Sequence, residues 1–305
     1  VEYMKSLGQG VRQTISFNNI KDEFLVIPPI REQKLIAKYL DKKTKSIDLL
    51  VKKIEKKIEI LKDKKTILIN QYLTKGLNHE FEKKDSEVEY IGTIPADWSI
   101  KKLKYLAKIN FSTIDRHTYK EEKTVYICHY PDVYKNEYIN KNTKLPTGTC
   151  KDSEFIKFAL RKSDIVLTKD SESPNDIGIP TYVQEEVENT TCGYHLALIR
   201  VKNNLICSEF LYRFFESKCS KDYFFTCSNG ITRYGLGKSS LENLVIPFPR
   251  KEVQELIIAK IKNLSLFTEQ SILSLRTKIN LLKEYRHSLI SSVVTGKIRI
   301  TEDMI

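Results

Sequence analysis

The sequence contains little that would build a metal centre, a disulfide framework or a membrane span. Its five histidines are scattered, and its six cysteines form no CxxC pair and no cluster with histidine. This spacing predicts reduced, mostly buried thiols and no metal site. No apolar run approaches the roughly eighteen residues of a membrane helix. The first residues, VEYMKSLGQG, also lack the basic start and apolar stretch of a secretory signal. We therefore expect a cytoplasmic chain without a membrane partner.

Motifs for catalysis on nucleotides are also absent. There is neither a glycine-rich FxGxG nor a [DNS]PP[YFW] tetrapeptide of an adenine methyltransferase, and IPPI at residues 27–30 lacks both the polar first residue and the aromatic last one. No GxxxxGK[ST] loop indicates ATP use. Asp164 and Asp170 lack a paired ExK motif, so solvation or loop capping explains them better than a nuclease site. The sequence predicts no enzyme activity and no cofactor in this chain.

Two copies of one segment dominate what is present. The first reads FLVIPPIREQKLIAKYL around Pro28 and the second LVIPFPRKEVQELIIAKI around Pro249, a shift of 221 residues. Each copy continues into a helix-patterned stretch that ends in LTKG (residues 73–76) or VTG (residues 294–296). Duplication at this spacing predicts two long helices that flank one compact domain.

The apolar positions of each copy alternate steps of four and three residues, which is the repeat of a left-handed coiled coil. Such a seam needs a partner helix, and the other copy is the natural one. A chain that returns at the base of the intervening domain makes the two helices antiparallel. Two amphipathic helices packed separately on a core are the alternative. The predicted seam consists of Val51, Ile54, Ile58, Leu61, Lys65, Leu68 and Tyr72 in the first copy and Ile272, Leu275, Ile279, Leu282, Arg286, Leu289 and Val293 in the second.

Positive charge is concentrated in the two copies. The chain carries +12 at pH 7, and residues 31–75 hold fourteen Lys/Arg against six Asp/Glu. Residues 250–297 hold nine against four. A basic surplus of this kind favours a polyanionic partner such as nucleic acid. Lysines that merely solvate exposed helix faces are the alternative.

The region between the copies has mixed patterning. Residues 77–89 are polar and acidic, which is typical of a linker. Strand patterns follow at residues 124–130, 164–168 and 194–201, and a helix pattern at residues 208–218. Residues 90–249 are therefore predicted to form an α+β globular domain.

Several ordered strings resemble one known family. IPADW, DIVLTKDSESPNDIGIP, YHLALIRV and SNGITRYGLGKSSLENLVIPFPRKEVQELI, followed by a helix that ends in VVTGKI, resemble the DNA specificity subunit of a type I restriction–modification system. The resemblance covers nearly the whole chain. That family alternates two target-recognition domains with two long helices that pack antiparallel as a spacer.

The resemblance implies a non-catalytic role. It implies sequence-specific binding of double-stranded DNA, docking of methyltransferase subunits and, through them, of the restriction subunit. Residues 1–29 parallel only the tail of a recognition domain, so a half-sized or truncated subunit is expected, which would pair with a second copy of itself or another fragment. The implied organisation is residues 1–29, tail of a first recognition domain; 30–76, first spacer helix; 77–89, linker; 90–249, target-recognition domain; 250–297, second spacer helix; and 298–305, C-terminal tail.

Candidate DNA-binding residues lie on two polar, glycine-containing loops and one polar–aromatic segment of that domain. Direct readout needs side chains that reach base edges, and Lys or Arg to hold phosphates. The candidates are Arg116, His117 and Tyr119; Lys169, Ser171, Ser173 and Asn175; and Asn229, Thr232, Arg233 and Tyr234. For each of them ordinary loop solvation is the alternative. Arg12 is equivalent to Arg233 in the first copy, which favours a phosphate contact for this position.

Two other functions are compatible with the same residues. One is a stand-alone DNA-binding regulator of the same family, and the other is a coiled-coil interaction protein without DNA specificity. Salt-sensitive binding to duplex DNA separates the second from the rest. The target bases do not follow from a single sequence.

Overall fold

The computed structural model describes residues 27–78, 82–202 and 205–305, together with Phe17 and Lys21. The predicted tail of a first recognition domain, residues 1–29, therefore lies almost entirely outside the described residues, and so does Arg12. The chain divides into two compact units. One consists of the described residues up to Ile60 together with Ser271–Ile305, and the other of Leu61–Gln270.

The helices and strands alternate in a mixed order between two long helices. In chain order they are α1 (Ile30–Lys75), β1 (Lys83–Asp85), β2 (Thr93–Pro95), β3 (Ser99–Lys102), α2 (Leu103–Leu106), β4 (Ala107–Phe111), β5 (Lys123–Cys128), α3 (Tyr130–Lys135), β6 (Tyr138–Ile139), β7 (Thr147–Cys150), α4 (Asp152–Phe158), β8 (Ile165–Thr168), β9 (Asp170–Ser171), a 3-10 turn (Pro174–Asp176), β10 (Pro180–Val183), β11 (Thr190–Cys192), β12 (Leu196–Val201), α5 (Ser208–Glu216), α6 (Lys218–Cys227), β13 (Tyr234–Gly235), α7 (Lys238–Asn243), β14 (Val245–Phe248), α8 (Lys251–Val294) and a second 3-10 turn (Glu302–Met304).

In the first unit, α1 and α8 pack against each other in opposite directions. Ile54 and Ile58 are buried with Ile279, whereas Ile47, earlier in α1, is buried with Leu289, later in α8. Residues later in α1 thus contact residues earlier in α8, as in an antiparallel coiled coil. Burying each such isoleucine or leucine contributes about 1.5–3 kcal/mol relative to exposure.

The second unit is built on a central sheet of five strands in the order β4-β12-β8-β10-β6. β6 runs parallel to β10, and the other neighbours are antiparallel. A separate three-stranded sheet has the order β11-β5-β7, and β14 pairs with β3. The mixed sheets and long helices confirm the predicted α+β class.

Alternation along the central strands divides the interior into two cores. Ile165 and Leu167 of β8 pack into the core that contains α5, with Phe210 and Phe214. Val166, between them, belongs to the other core, with partners that include Ile127 and Phe158. Since successive strand residues face opposite sides of a sheet, one run of apolar residues supplies both cores. This explains why β8 and the first four residues of β12 are buried throughout.

The two copies of the repeat begin with the same local bond. The Gln33 side-chain amide donates to the Pro28 carbonyl at 2.8 Å, and the Gln254 amide donates to the Pro249 carbonyl at 2.8 Å. Beyond the last helical turns, Gly76 and Gly296 have φ values of 73° and 74°, a left-handed conformation that suits glycine at a helix end. The two copies thus begin with the same side-chain bond, and a left-handed glycine follows each helix.

Local boundaries differ from the sequence patterns in places. The polar segment 77–89 contains β1, because Lys83–Asp85 pairs antiparallel with Thr93–Pro95. The strand predicted at 194–201 begins at Leu196, and the helix predicted at 208–218 ends at Glu216. Within the described residues, no helix is long and apolar enough to cross a membrane.

Candidate nucleic-acid interface

A short antiparallel ladder joins the two loops that carry most of the candidate DNA-binding residues. β9, in the loop after β8, pairs with β13, in the loop after α6, so that Ser171 lies opposite Tyr234 and Asp170 opposite Gly235. The Leu236 amide adds a hydrogen bond of 2.8 Å to the Lys169 carbonyl. Loops separated by about sixty residues of sequence thereby form one surface.

The second loop is a tight hairpin that depends on one glycine. Asn229 and Gly235 exchange two backbone hydrogen bonds, of 3.1 and 2.9 Å. Gly230 has a φ of 145°, and a Cβ at this position would lie 1.9 Å from the Arg233 carbonyl oxygen. The hairpin exposes its tip, where the Ile231 residue is 93% accessible. Only glycine allows this backbone, and the backbone determines the position of Arg233.

The first loop fixes its charged residues against each other. Lys169 Nζ lies 2.5 Å from Asp170 Oδ2, and His195 Nδ1 lies 2.9 Å from the same oxygen. Lys169 Nζ is also 4.9 Å from the ring centroid of Tyr194. Its side chain is only 12% exposed. Lys169 is therefore held within the surface by a carboxylate and an aromatic ring.

The polar–aromatic segment brings a second arginine to the same surface. Asp115 accepts a hydrogen bond from the His117 amide at 2.9 Å and lies 3.3 Å from His117 Nδ1. The guanidinium carbon of Arg116, the residue between Asp115 and His117 in the sequence, is 5.5 Å from the ring centroid of Tyr130. The Tyr119 backbone amide donates a hydrogen bond of 3.0 Å to Thr149 Oγ1.

Two adjoining cavities open on this surface and share Tyr130 and Arg233. The first, of about 280 Å³, is lined by Asp115, Arg116, His117, His129, Tyr130, Tyr194, His195 and Arg233. The second, of about 360 Å³, is lined by Tyr130, Tyr134, Asp170, Ser171, Glu172, Ser173, Asp176 and Arg233. The structure thus brings together Arg116, His117, Ser171, Ser173 and Arg233. Among the other candidates, Lys169 and Tyr234 adjoin the cavities through the ladder, whereas Tyr119, Asn175, Asn229 and Thr232 line neither.

Sequence reasoning missed the aromatic and histidine residues at the centre of the surface. Tyr130 follows β5, and Tyr194 and His195 precede β12, so each lies at the end of a strand. The available signal was the pairing of a Tyr and a His at each strand end, HY at residues 129–130 and YH at 194–195. Which strand ends meet depends on the sheet order, and local patterning does not contain that order.

Burial and positive neighbours disfavour a positive charge on His129, which lines the first cavity. Burial and then the charge of Arg116 lower the pKa of His129, and Asp132 opposes them. Gly193 makes room for this ring, since a Cβ there would lie 2.8 Å from His129 Nδ1. Among the described residues, no cluster of His, Cys, Asp or Glu is arranged to hold a metal ion.

The predicted seam residues lie in several surroundings. Val51, Ile272, Leu275 and Leu282 pack around the buried trio of Ile54, Ile58 and Ile279, and Leu289 and Val293 lie in the neighbouring cluster. In the other unit, Leu61 and Leu68 are half-buried, and Tyr72 packs against the main core.

Both basic seam residues have a carboxylate on the opposite helix. Arg286 Nε lies 3.0 Å from Asp48 Oδ1 in one unit, and Lys65 Nζ lies 3.3 Å from Glu269 Oε1 in the other. The 221-residue shift that superposes Lys65 on Arg286 also superposes Asp48 on Glu269. The repeat therefore preserves the ion pair as well as the apolar seam.

Comparison with known proteins then identifies the family. The type I restriction modification DNA specificity domain matches residues 95–283, which is more than half of the chain. The chain belongs to this family. Among curated members it is 25% identical over 288 residues to the type I restriction enzyme MjaVIII specificity subunit of Methanocaldococcus jannaschii, covering 93% of this chain and 63% of that one. It is 22% identical over 295 residues to the EcoBI specificity subunit of Escherichia coli, covering 93% and 60%.

Solved structures of family members show the same fold. The HsdS subunit from Thermoanaerobacter tengcongensis matches with a TM-score of 0.59 at 11% identity, over 98% of this chain and 67% of that one. A chain solved to explain complex assembly and conformational transition of the type I R-M system matches with a TM-score of 0.67 at 12% identity, over 94% and 65%. This chain spans 60–63% of the length of the curated relatives named here.

Proposed function

We propose that the chain is a DNA-binding specificity subunit of a type I restriction–modification complex and that it reads one half of a two-part target. The observation that carries the proposal is the joining of two polar loops by the β9–β13 ladder, with Arg116, His117 and Arg233 around one aromatic surface. Membership of the specificity family supports it independently.

The surface has the chemistry of direct readout. Arginine can bind phosphate or the O6 and N7 atoms of guanine, and serine can bind either base edges or phosphates. Exposed Tyr194 offers a ring face, and exposed Ile231 offers an apolar contact of the kind that recognises a thymine methyl group. A surface that combines these groups suits a DNA duplex better than a single small ligand.

The helices suit a spacer. With 46 residues, α1 is roughly 70 Å long at about 1.5 Å per residue. That length corresponds to about two turns of duplex, at about 34–36 Å each. In this proposal the helices determine the distance between two half-sites and provide docking faces for methyltransferase subunits, through which the restriction subunit joins. The second half-site is read by another copy of the chain or by a different recognition domain, and methyl transfer and cleavage belong to the partners.

The test is co-expression of the chain with a type I methyltransferase subunit from its own host, followed by purification and mapping of N6-methyladenine in cellular DNA by long-read sequencing. A methylated two-part motif that disappears without this chain is the expected result. A symmetric motif indicates two copies of the chain, and an asymmetric one a second recognition domain. If the chain forms no complex and methylation does not depend on it, the proposal is wrong.

A further inference from the structure

Arg116 and Arg233 differ from the paired arginines of the same domain. Arg200 binds Asp164, and Arg213 binds Glu137 and Glu216. No ion pair found among the described residues includes Arg116 or Arg233, and both are exposed. Their charges are therefore not neutralised by contact with a carboxylate within the part of the chain that the structure describes.

The two arginines nevertheless share a cavity, although 117 residues separate them in sequence. The carboxylate that lines this cavity, Asp115, is already engaged by His117 through two contacts. The adjoining cavity, in contrast, is lined by Asp170, Glu172 and Asp176. Arg233 lies at the border of the two cavities and faces three carboxylates in the adjoining one, whereas the first cavity combines both arginines with the single carboxylate of Asp115. The first cavity is therefore the one that suits an anion.

The Arg116 guanidinium and the Arg233 backbone are restrained before any ligand arrives. The Arg116 guanidinium lies against the ring of Tyr130. The Arg233 backbone is fixed by the hairpin that Gly230 closes. Restraint of this kind reduces the entropy lost when a planar guanidinium binds phosphate oxygens with two parallel hydrogen bonds.

Building on the DNA-binding function proposed above, we propose that Arg116 and Arg233 together hold one backbone phosphate of duplex DNA in this cavity. The pair positions the domain on the duplex and does not read a base. An arginine at the equivalent position of the first repeat copy, Arg12, fits this role, since a positioning contact is needed at every half-site whatever its bases.

The experiment measures the affinity of the full chain for two labelled duplexes over a series of salt concentrations. One duplex carries the motif mapped by methylation, and the other has the same composition in shuffled order. Arg116→Gln, Arg233→Gln and the double variant remove the charge, and Arg233→Lys keeps it. Arg161→Gln is the matched control, because it removes an exposed arginine of the same domain that does not line this cavity. Thermal unfolding checks that each variant is folded.

If the pair holds one phosphate, each charge-removing variant weakens binding to the motif duplex and to the shuffled duplex by the same factor. The double variant lowers the slope of log K against log salt by about 1, the share of one phosphate contact. Arg233→Lys keeps the slope, and the control keeps both slope and affinity.

Two results would overturn the inference while leaving the DNA-binding function intact. The first is a loss confined to the motif duplex with an unchanged salt slope, which indicates base readout. The second is no change for the double variant on either duplex. Failure of the unsubstituted chain to bind DNA in a salt-dependent way would instead refute the proposed function itself.

Discussion

Charged residues of the unit Leu61–Gln270 fall into two groups according to their partners. Asp164 is 1% exposed and accepts hydrogen bonds of 2.7 and 2.6 Å from Arg200. Burial raises the pKa of this carboxyl group, and Arg200 opposes the shift. Such a pair maintains the geometry of the domain and leaves neither group free for chemistry. Arg116 and Arg233 belong to the other group, whose charge remains available for a ligand.

Gly230→Ala is expected to lower the affinity for duplex DNA strongly and the melting temperature only slightly. The new Cβ would meet the Arg233 carbonyl oxygen, so the hairpin must adopt another backbone, at a cost of about 1–3 kcal/mol. Displacement of Arg233 should then lower the affinity for duplex DNA to the level of Arg233→Gln. Fluorescence anisotropy measures the affinity, and circular dichroism the melting temperature.

Gly237→Ala is the matched control for this substitution. Gly237 has a φ of −67°, and a Cβ there would lie 3.8 Å from the nearest side-chain atom, Ser240 Oγ. This variant should bind DNA as the unsubstituted chain does. Equal affinities for the two glycine variants would contradict the role assigned to the hairpin.

His129 should make stability depend on pH below neutrality. Burial and the charge of Arg116 lower the pKa of its imidazole in the folded chain. The unfolded chain, with a pKa of about 6.5, therefore takes up the proton first, and the stability present above that pH is lost as the pH falls towards the folded pKa. His129→Gln should reduce the fall in melting temperature between about pH 7.5 and 5.5.

His287→Gln, at an exposed position of α8, serves as the control for the histidine experiment. It should leave the pH profile of the melting temperature unchanged. If His129→Gln and the unsubstituted chain melt with the same dependence on pH, the half-buried imidazole contributes nothing measurable to that dependence.

At the scale of elements, the long helices were predictable and the β9–β13 ladder was not. A heptad repeat is local information, and the repetition of Pro28 at Pro249 and of Lys65 at Arg286 supports the prediction of two equivalent helices. The ladder has two residues on each strand, too few for a period, and its strands are far apart in sequence. Its existence follows from the positions of β8 and α6, which only the folded domain determines.

Reversing one ion pair between the helices should reveal its contribution to register. Arg286→Asp places a second carboxylate beside that of Asp48 and should lower the melting temperature. Adding Asp48→Arg restores an attractive pair and should recover most of the loss. The side chains are 34% and 51% exposed, so the pair itself contributes only about 0.2–1 kcal/mol.

The equivalent pair, Lys65 and Glu269, provides an internal comparison for that experiment. The same single and double reversals there should give the same pattern of loss and recovery. Losses that simply add in the double variants would show that neither pair interacts measurably across the helices.

Truncation of the seam tests the coiled coil itself. Ile279 is 7% exposed and packs with Ile54 and Ile58, so Ile279→Ala should cost about 2–5 kcal/mol in the free energy of unfolding. Leu281, two residues along α8, is 59% exposed. Leu281→Ala should stay within about 0.5 kcal/mol. Urea unfolding compares the two variants, and equal losses would contradict burial of the seam.

At the scale of the molecule, the sequence predicted the class of fold and part of the candidate site. The repeat and the mixed central pattern indicated two helices around an α+β domain, as the structure has it. The sequence indicates Arg116 and Arg233 separately, one in a polar–aromatic segment and the other in a glycine-containing loop. Their convergence around Tyr130 and Tyr194 depends on which strand ends are neighbours in the sheets, and long-range pairing of that kind has no local signature.

The similar ends of the two helices have a consequence for recombination between genes of the family. Each copy begins with a Gln side chain bound to a Pro carbonyl and is followed by a left-handed glycine. The segment between Gly76 and Pro249 therefore has a helix-end glycine before it and a helix-start Gln–Pro bond after it. Recombination between genes that share these helix ends can replace the domain in a single exchange without disturbing either helix. In the function proposed above, such an exchange gives the subunit a new DNA target and leaves the helices, its proposed docking faces, unchanged.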